Sequence, residues 1–168
     1  MKFVKIAAVL LLIVSTGIAQ KKGASSDKIE WKSFDAGMSE AKKTGKKVLI
    51  DVYTVWCGWC KKMDAGTYSD KKVTEYLKKH FVTIKMNPEK DGPVTYDGKK
   101  YSAAEFSQGM GVNGYPATLF LKSDGKPITL LPGYSEADMF LHVISFIGDN
   151  QYEKKKFADY LSEKGVKQ

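Results

Sequence analysis

Residues 47–54 constrain the fold more than any other segment. Val48, Leu49, Ile50, Val52 and Tyr53 form an almost continuous apolar run that only Asp51 interrupts. A run so short and so apolar predicts a central strand covered on both faces, as in sheets sandwiched between helices. It leads at once into Trp56-Cys57-Gly58-Trp59-Cys60-Lys61, where a helix is expected to begin. A buried strand that feeds a helix through a turn carrying two cysteines admits few architectures.

The rest of the chain supplies alternating elements. Residues 29–34 read as a short strand. Residues 35–44 read as a helix capped by Asp35 and stopped by Gly45. Gly66 is expected to end the helix that starts at the cysteines. Val73, Tyr76 and Leu77 give residues 71–79 helical spacing, with Ser69 or Asp70 as cap. Residues 81–86 predict another strand. Pro88, Gly92, Pro93 and Gly98 make residues 88–100 a loop or small hairpin. Ser102 and Glu105 stand at capping-box spacing before a short helix. Residues 118–122 and 127–131 predict strands paired around the turn at 123–126. Two helices are expected to follow. The first is capped by Ser135 and buries Phe140, Val143, Ile144 and Ile147; the second spans 151–162, with Phe157, Tyr160 and Leu161 inward. The order predicts an α/β fold with a mixed sheet and helices on both faces.

The domain is expected to run over 29–168, after a signal peptide at 1–19 and a polar linker at 20–28. Lys2 and Lys5 precede the nine apolar residues 6–14, and Gly17 and Ala19 occupy the −3 and −1 positions of a cleavage site. Nine residues fall short of the ~20 needed to span a bilayer. The reading is therefore export with cleavage, to the periplasm or another extracytoplasmic compartment, with no stable membrane insertion afterwards. Cleavage would remove two lysines and lower the formal charge from +8 to +6.

All 27 basic residues are Lys. Arg, the residue suited to bidentate contact with phosphate and guanine, is absent, and the lysine pairs are dispersed, so nucleic acid is not an expected partner. Only two cysteines occur, three positions apart, and such a pair cannot staple distant parts of an exported chain. Their spacing points to chemistry. A helix N-terminus offers unpaired N–H groups and the positive end of the helix dipole, both of which stabilise a thiolate. Cys57 is expected to face out as attacking nucleophile, with Cys60 shielded behind it as resolving thiol. A structural zinc site needs about four ligands, and His80 and His142 are the only histidines left to complete one. No metal or cofactor is expected. Asp51 also stands out, because a carboxylate in a buried strand is costly unless paired or functional. Burial should raise its pKa and let it take a proton from Cys60.

These features resemble the thioredoxin superfamily over residues 48–147, and in particular a subgroup of exported bacterial thioredoxin-like proteins. The segment from Val48 to Tyr53 followed by the Trp56–Lys61 turn is similar to that family's strand and active site. The resemblance implies a three-layer α/β/α sandwich with a mixed central sheet, here with an extra C-terminal helix. It implies that Lys85 pairs with Asp51, that Pro116 in Gly111-Val112-Asn113-Gly114-Tyr115-Pro116 is cis and faces Cys57, and that Gly133 follows the closing hairpin. A cis Pro116 would turn the backbone of Tyr115 outward to pair with an extended substrate. Trp56, Gly58, Trp59, Tyr115 and Pro116 are thus the expected substrate-binding residues, and Cys57, Cys60, Asp51 and Lys85 the catalytic ones.

Trp59 stands where typical thioredoxins have Pro, which leaves the reduction potential open. The expected function is a protein thiol–disulfide oxidoreductase acting as reductant or isomerase. It would work as a monomer on protein thiols or disulfides and draw electrons from a membrane relay protein. The alternative is a binding module that holds a client protein or Cu(I) through Cys57 and Cys60, with Met63 or Met110 assisting.

Overall fold

The computed structural model describes residues 28–166; the expected signal peptide and all but the last residue of the expected linker lie outside the described residues. The strand expected to be central is central. β1 (Lys47–Val52) pairs in parallel with β2 (Phe81–Met86) and antiparallel with β5 (Ala117–Leu121), and β5 pairs antiparallel with β6 (Pro127–Pro132). The sheet order is β2-β1-β5-β6, with mixed pairing.

Strand alternation sends successive side chains to opposite faces. Val48, Ile50 and Val52 join Val82, Ile84, Met86, Leu119 and Leu121 in one core, which α1 (Phe34–Thr44) and α4 (Ala103–Gly109) cover. Leu49, Phe81 and Phe120 join the opposite core under α2 (Gly58–Ala65), α3 (Lys71–His80) and α5 (Ala137–Gly148). The three-layer sandwich follows from that division. Gly37 sets the spacing of one layer: a Cβ there would meet Ile84 Cγ1 at 2.4 Å, so α1 lies closer to β2 than any side chain would permit.

The Pro- and Gly-rich stretch is a hairpin, β3 (Val94–Tyr96) with β4 (Lys99–Tyr101). Asp97 and Gly98 both take positive φ, 48° and 72°, as a two-residue turn of this hand requires. Ser102 and Glu105 form the expected capping box on α4, and Asp70 caps α3.

Four local expectations need correction. Residues 29–34 form no strand; Lys32 alone bridges to Ile84, and α1 starts at Phe34. Asp35 does not cap α1. Ser33 holds that position, and the Asp35 carboxylate accepts from Thr95 N at 2.9 Å, tying the hairpin to α1. Ser135 does not cap α5. Glu136 holds that position without a side-chain bond, and the Ser135 carbonyl accepts from Thr67 Oγ1. The terminal helix is split into a 3-10 turn (Gln151–Glu153) and α6 (Phe157–Glu163). The break lets Phe157 and Tyr160 fold back onto Phe146, with ring centroids 5.1 and 5.3 Å away. Tyr160 and Leu161 are buried as expected, while Phe157 is half-buried.

Candidate active site

The site is built where β1 ends. Cys57 is the N-cap of α2, so its sulfur lies at the helix's unpaired N–H groups and accepts from Cys60 N at 3.0 Å. Cys57 and Cys60 are joined in a disulfide with Cα atoms 5.3 Å apart. Cys57 is 5% exposed and Cys60 3%, so the expectation that Cys57 faces out needs correction: in the disulfide state both residues are buried. Above Gly58 the space is open: a Cβ there would meet nothing within 4 Å.

On the side of the sheet that α2 covers runs a polar row. The sheet register places Asp51 opposite Lys85 on one side and Thr118 on the other. All three project toward the helices α2, α3 and α5, since Leu49 and Phe120 do. Lys85 Nζ lies 3.4 Å from Asp51 Oδ2, and it also donates to Asp64 on α2. The rings of Trp31 and Tyr53 flank the same ammonium, with centroids 5.1 and 4.8 Å away. Tyr68 OH lies 3.3 Å from Thr118 Oγ1. Asp51 is 2% exposed, and its Oδ1 has no hydrogen-bond partner among the described residues. Burial pushes the Asp51 carboxyl up to about 6; the Lys85 charge opposes the rise and the Asp64 charge adds to it. Burial likewise pushes the Tyr68 phenol well above its usual range.

The walls of the site are aromatic. Trp56 is 64% exposed; its indole N–H donates to both Glu89 carboxylate oxygens, at 3.1 and 3.0 Å. Its ring meets Tyr115 edge-on at 5.9 Å. The Tyr115–Pro116 peptide is cis, and Gly133 N donates to Pro116 O at 2.9 Å. On the other flank Trp59, 56% exposed, tilts against Tyr134 at 5.2 Å.

The structure therefore places the exposed Trp56 and Trp59 on either side of the buried Cys57–Cys60 pair, sets Tyr115 before the buried cis Pro116 against Trp56, and pairs Asp51 with Lys85 on the α2 side of the sheet. Asp64, Tyr68, Glu89 and Tyr134 were not anticipated from the sequence. The signal for Asp64 was available: it lies four residues after Cys60, one helical turn on, and so on the same face of α2. Of the residues considered for Cu(I), Met63 is fully buried in the core on the α2 side of the sheet, and Met110 packs against the core on the α1 side. No group of three or more His, Cys, Asp and Glu side chains among the described residues is placed to hold a metal.

A sequence model for the thioredoxin-like domain matches residues 34–148, most of the chain. The chain belongs to the thioredoxin-like domain family. Its Cys57 and Cys60 stand at C-x-x-C spacing inside the matched region and are joined in a disulfide. The thioredoxin-like chain is 30% identical over 100 residues to the thiol:disulfide interchange protein DsbD of Actinobacillus pleuropneumoniae, covering 58% of this chain and 16% of that protein. It is 33% identical over 88 residues to the protein disulfide-isomerase of Hordeum vulgare, covering 52% and 14%. It thus spans about one-sixth of the length of the curated relatives it matches. Among solved structures, a putative disulphide-isomerase from Bacteroides thetaiotaomicron superposes with TM-score 0.60 at 30% identity, covering 79% of this chain and all of that one. A thioredoxin-fold protein from Helicobacter pylori gives TM-score 0.59 at 28% identity, covering 72% and 80%. No helix among the described residues is long and apolar enough to cross a membrane.

Proposed function

We propose that this thioredoxin-like protein is exported and reduces or isomerises disulfides of other proteins outside the cytoplasm. The observation that carries the reading is a disulfide at the N-terminus of α2 together with a buried carboxylate, on the side of the sheet that α2 covers, whose pKa is pushed up to about 6. Near neutral pH such a carboxylate is largely ionised yet still basic enough to accept a thiol proton.

In the reduced protein, the Cys57 thiolate attacks one sulfur of a substrate disulfide. A Cys57–substrate disulfide forms, and the other substrate sulfur leaves as a thiolate that water protonates. Cys60 then gives its proton to Asp51 and attacks Cys57 Sγ. The Cys57–Cys60 disulfide forms and the second substrate sulfur departs as a thiolate. Lys85 holds Asp51 in place and limits the rise in its proton affinity. Trp56, Gly58 and Trp59 frame the approach to Cys57, and the backbone of Tyr115 before cis Pro116 pairs with the extended substrate. Each reductive turnover consumes two electrons, which a membrane relay protein would return. The name of the Actinobacillus relative, a thiol:disulfide interchange protein, agrees with this reading.

The test is the reduction potential of the Cys57–Cys60 pair, equilibrated in glutathione or dithiothreitol buffers and read from Trp56 and Trp59 fluorescence. A value near ~−270 mV supports a reductant; a value near ~−120 mV would make the protein an oxidant. For export, the mass of the protein recovered from outside the cytoplasm should lack residues 1–19, and recovery only inside the cytoplasm would contradict it.

A further inference from the structure

Trp59 is held in a cluster that the disulfide chemistry does not need. It occupies the second position of α2, faces away from both cores and is 56% exposed. Three of the four exposed large hydrophobic side chains among the described residues, Val55, Trp56 and Trp59, lie within five residues of one another around Cys57. An indole this exposed buries little apolar surface, yet it has partners on the protein. Tyr134 meets it at 5.2 Å with the planes 39° apart. Lys62 Nζ lies 5.1 Å from the Trp59 ring centroid and 4.6 Å from that of Tyr134, and Glu136 pairs with Lys62 at 3.3 Å. The loop carrying Tyr134 is in turn bonded to the cis proline, through Gly133 N to Pro116 O.

We infer that Trp59 and Tyr134, under Lys62, form a second aromatic wall that selects substrates with a bulky apolar side chain beside the reactive cysteine. This rests on the thiol–disulfide reading above and names the substrate class it favours: extended protein segments with Phe, Leu, Trp or a similar residue next to a cysteine. Three observations support it. The residue before Tyr134, Gly133, is bonded to Pro116 O at 2.9 Å, so a segment paired at Tyr115 would pass beside the loop that carries the wall. The rings are held before the substrate arrives, so little side-chain freedom is lost on binding. Glu136 offsets the charge of Lys62, which leaves a neutral aromatic surface suited to an apolar side chain rather than an acidic one.

The experiment uses the reduced protein and disulfide-linked peptides that carry Phe or Ser at each of the two positions on either side of the cysteine. Stopped-flow fluorescence gives the rate of mixed-disulfide formation, and the quantity read is the Phe-to-Ser rate ratio within each protein. The wild type should favour Phe by about three- to tenfold at one of these positions, the range aromatic pairs give. Tyr134→Ala and, independently, Trp59→Ser should bring that ratio close to one, and Tyr134→Phe should retain it. A wild-type ratio near one at every position, or an unchanged ratio in Tyr134→Ala and Trp59→Ser, would overturn the inference. The reaction of the wild type with oxidised glutathione tests the thiol–disulfide reading separately: no reaction there would mean that the reading itself, and not the wall, has failed.

Discussion

Val48, Ile50 and Val52 alternate along β1 with Leu49 and Asp51, and the two sets meet very different surroundings. Toward α1 and α4 the core is chiefly aliphatic and aromatic, and the buried Ser107 hydroxyl there is satisfied by Ala103 O at 2.7 Å. Toward α2, α3 and α5 the same sheet buries Asp51, Thr67, Thr74 and Thr118, with Lys85 and Tyr68 joining them. A domain of this size needs no such row to fold, and an ionised carboxylate there opposes folding. The row lies only on the face that carries the disulfide. One face is shaped chiefly by packing, and the other carries a buried carboxylate that costs stability, which the proposed proton transfer would explain.

Substitutions separate the two faces. The largest effect is expected for Ile50→Ala on the apolar face, with a loss of about 2–5 kcal/mol of unfolding free energy in urea and no change in its pH dependence. On the polar face Asp51→Asn should have the opposite sign. The folded-state pKa of about 6 lies above the ordinary 3.8, so the folded protein binds more protons between these values and stability falls as pH rises through them. Removing the charge should therefore stabilise the oxidised protein by roughly 2–3 kcal/mol at pH 7 and by almost nothing at pH 4. Equal gains at both pH values would show that ionisation of Asp51 is not the cause. Tyr68→Phe, which removes the hydroxyl beside Thr118, should cost about 1 kcal/mol in the same melts. Asp64→Asn is the subtlest variant. It leaves Lys85 to Asp51 alone, so the Asp51 titration followed by carboxyl NMR should move to lower pH. A shift to higher pH would mean that Asp64 does not compete for Lys85.

The sequence made the central strand, the cysteine turn and most helices legible, because each rests on local signals: apolar runs, caps and glycine stops. The pairing of Asp51 with Lys85 and the cis Tyr115–Pro116 peptide followed from the family resemblance. Misreadings arose where tertiary contacts override local chemistry. Asp35 has the composition of a cap but is taken by Thr95 of the hairpin, and the terminal helix breaks so that Phe157 can reach Phe146. Tyr134 and Glu89 carried no signal, because their importance comes only from loops brought beside Trp59 and Trp56 by the fold.

The role proposed for the polar row is acceptance of the Cys60 proton by Asp51, and single-turnover kinetics test it directly. A mixed disulfide between Cys57 and a peptide is trapped at low pH, and its resolution is timed after a jump to higher pH, in the wild type and in Asp51→Asn. The wild-type rate should rise with ionisation of Asp51, and the variant should be slower by roughly 10²-fold near pH 7, the scale of a positioned general base. Equal rates in the two proteins across the pH range would contradict the account.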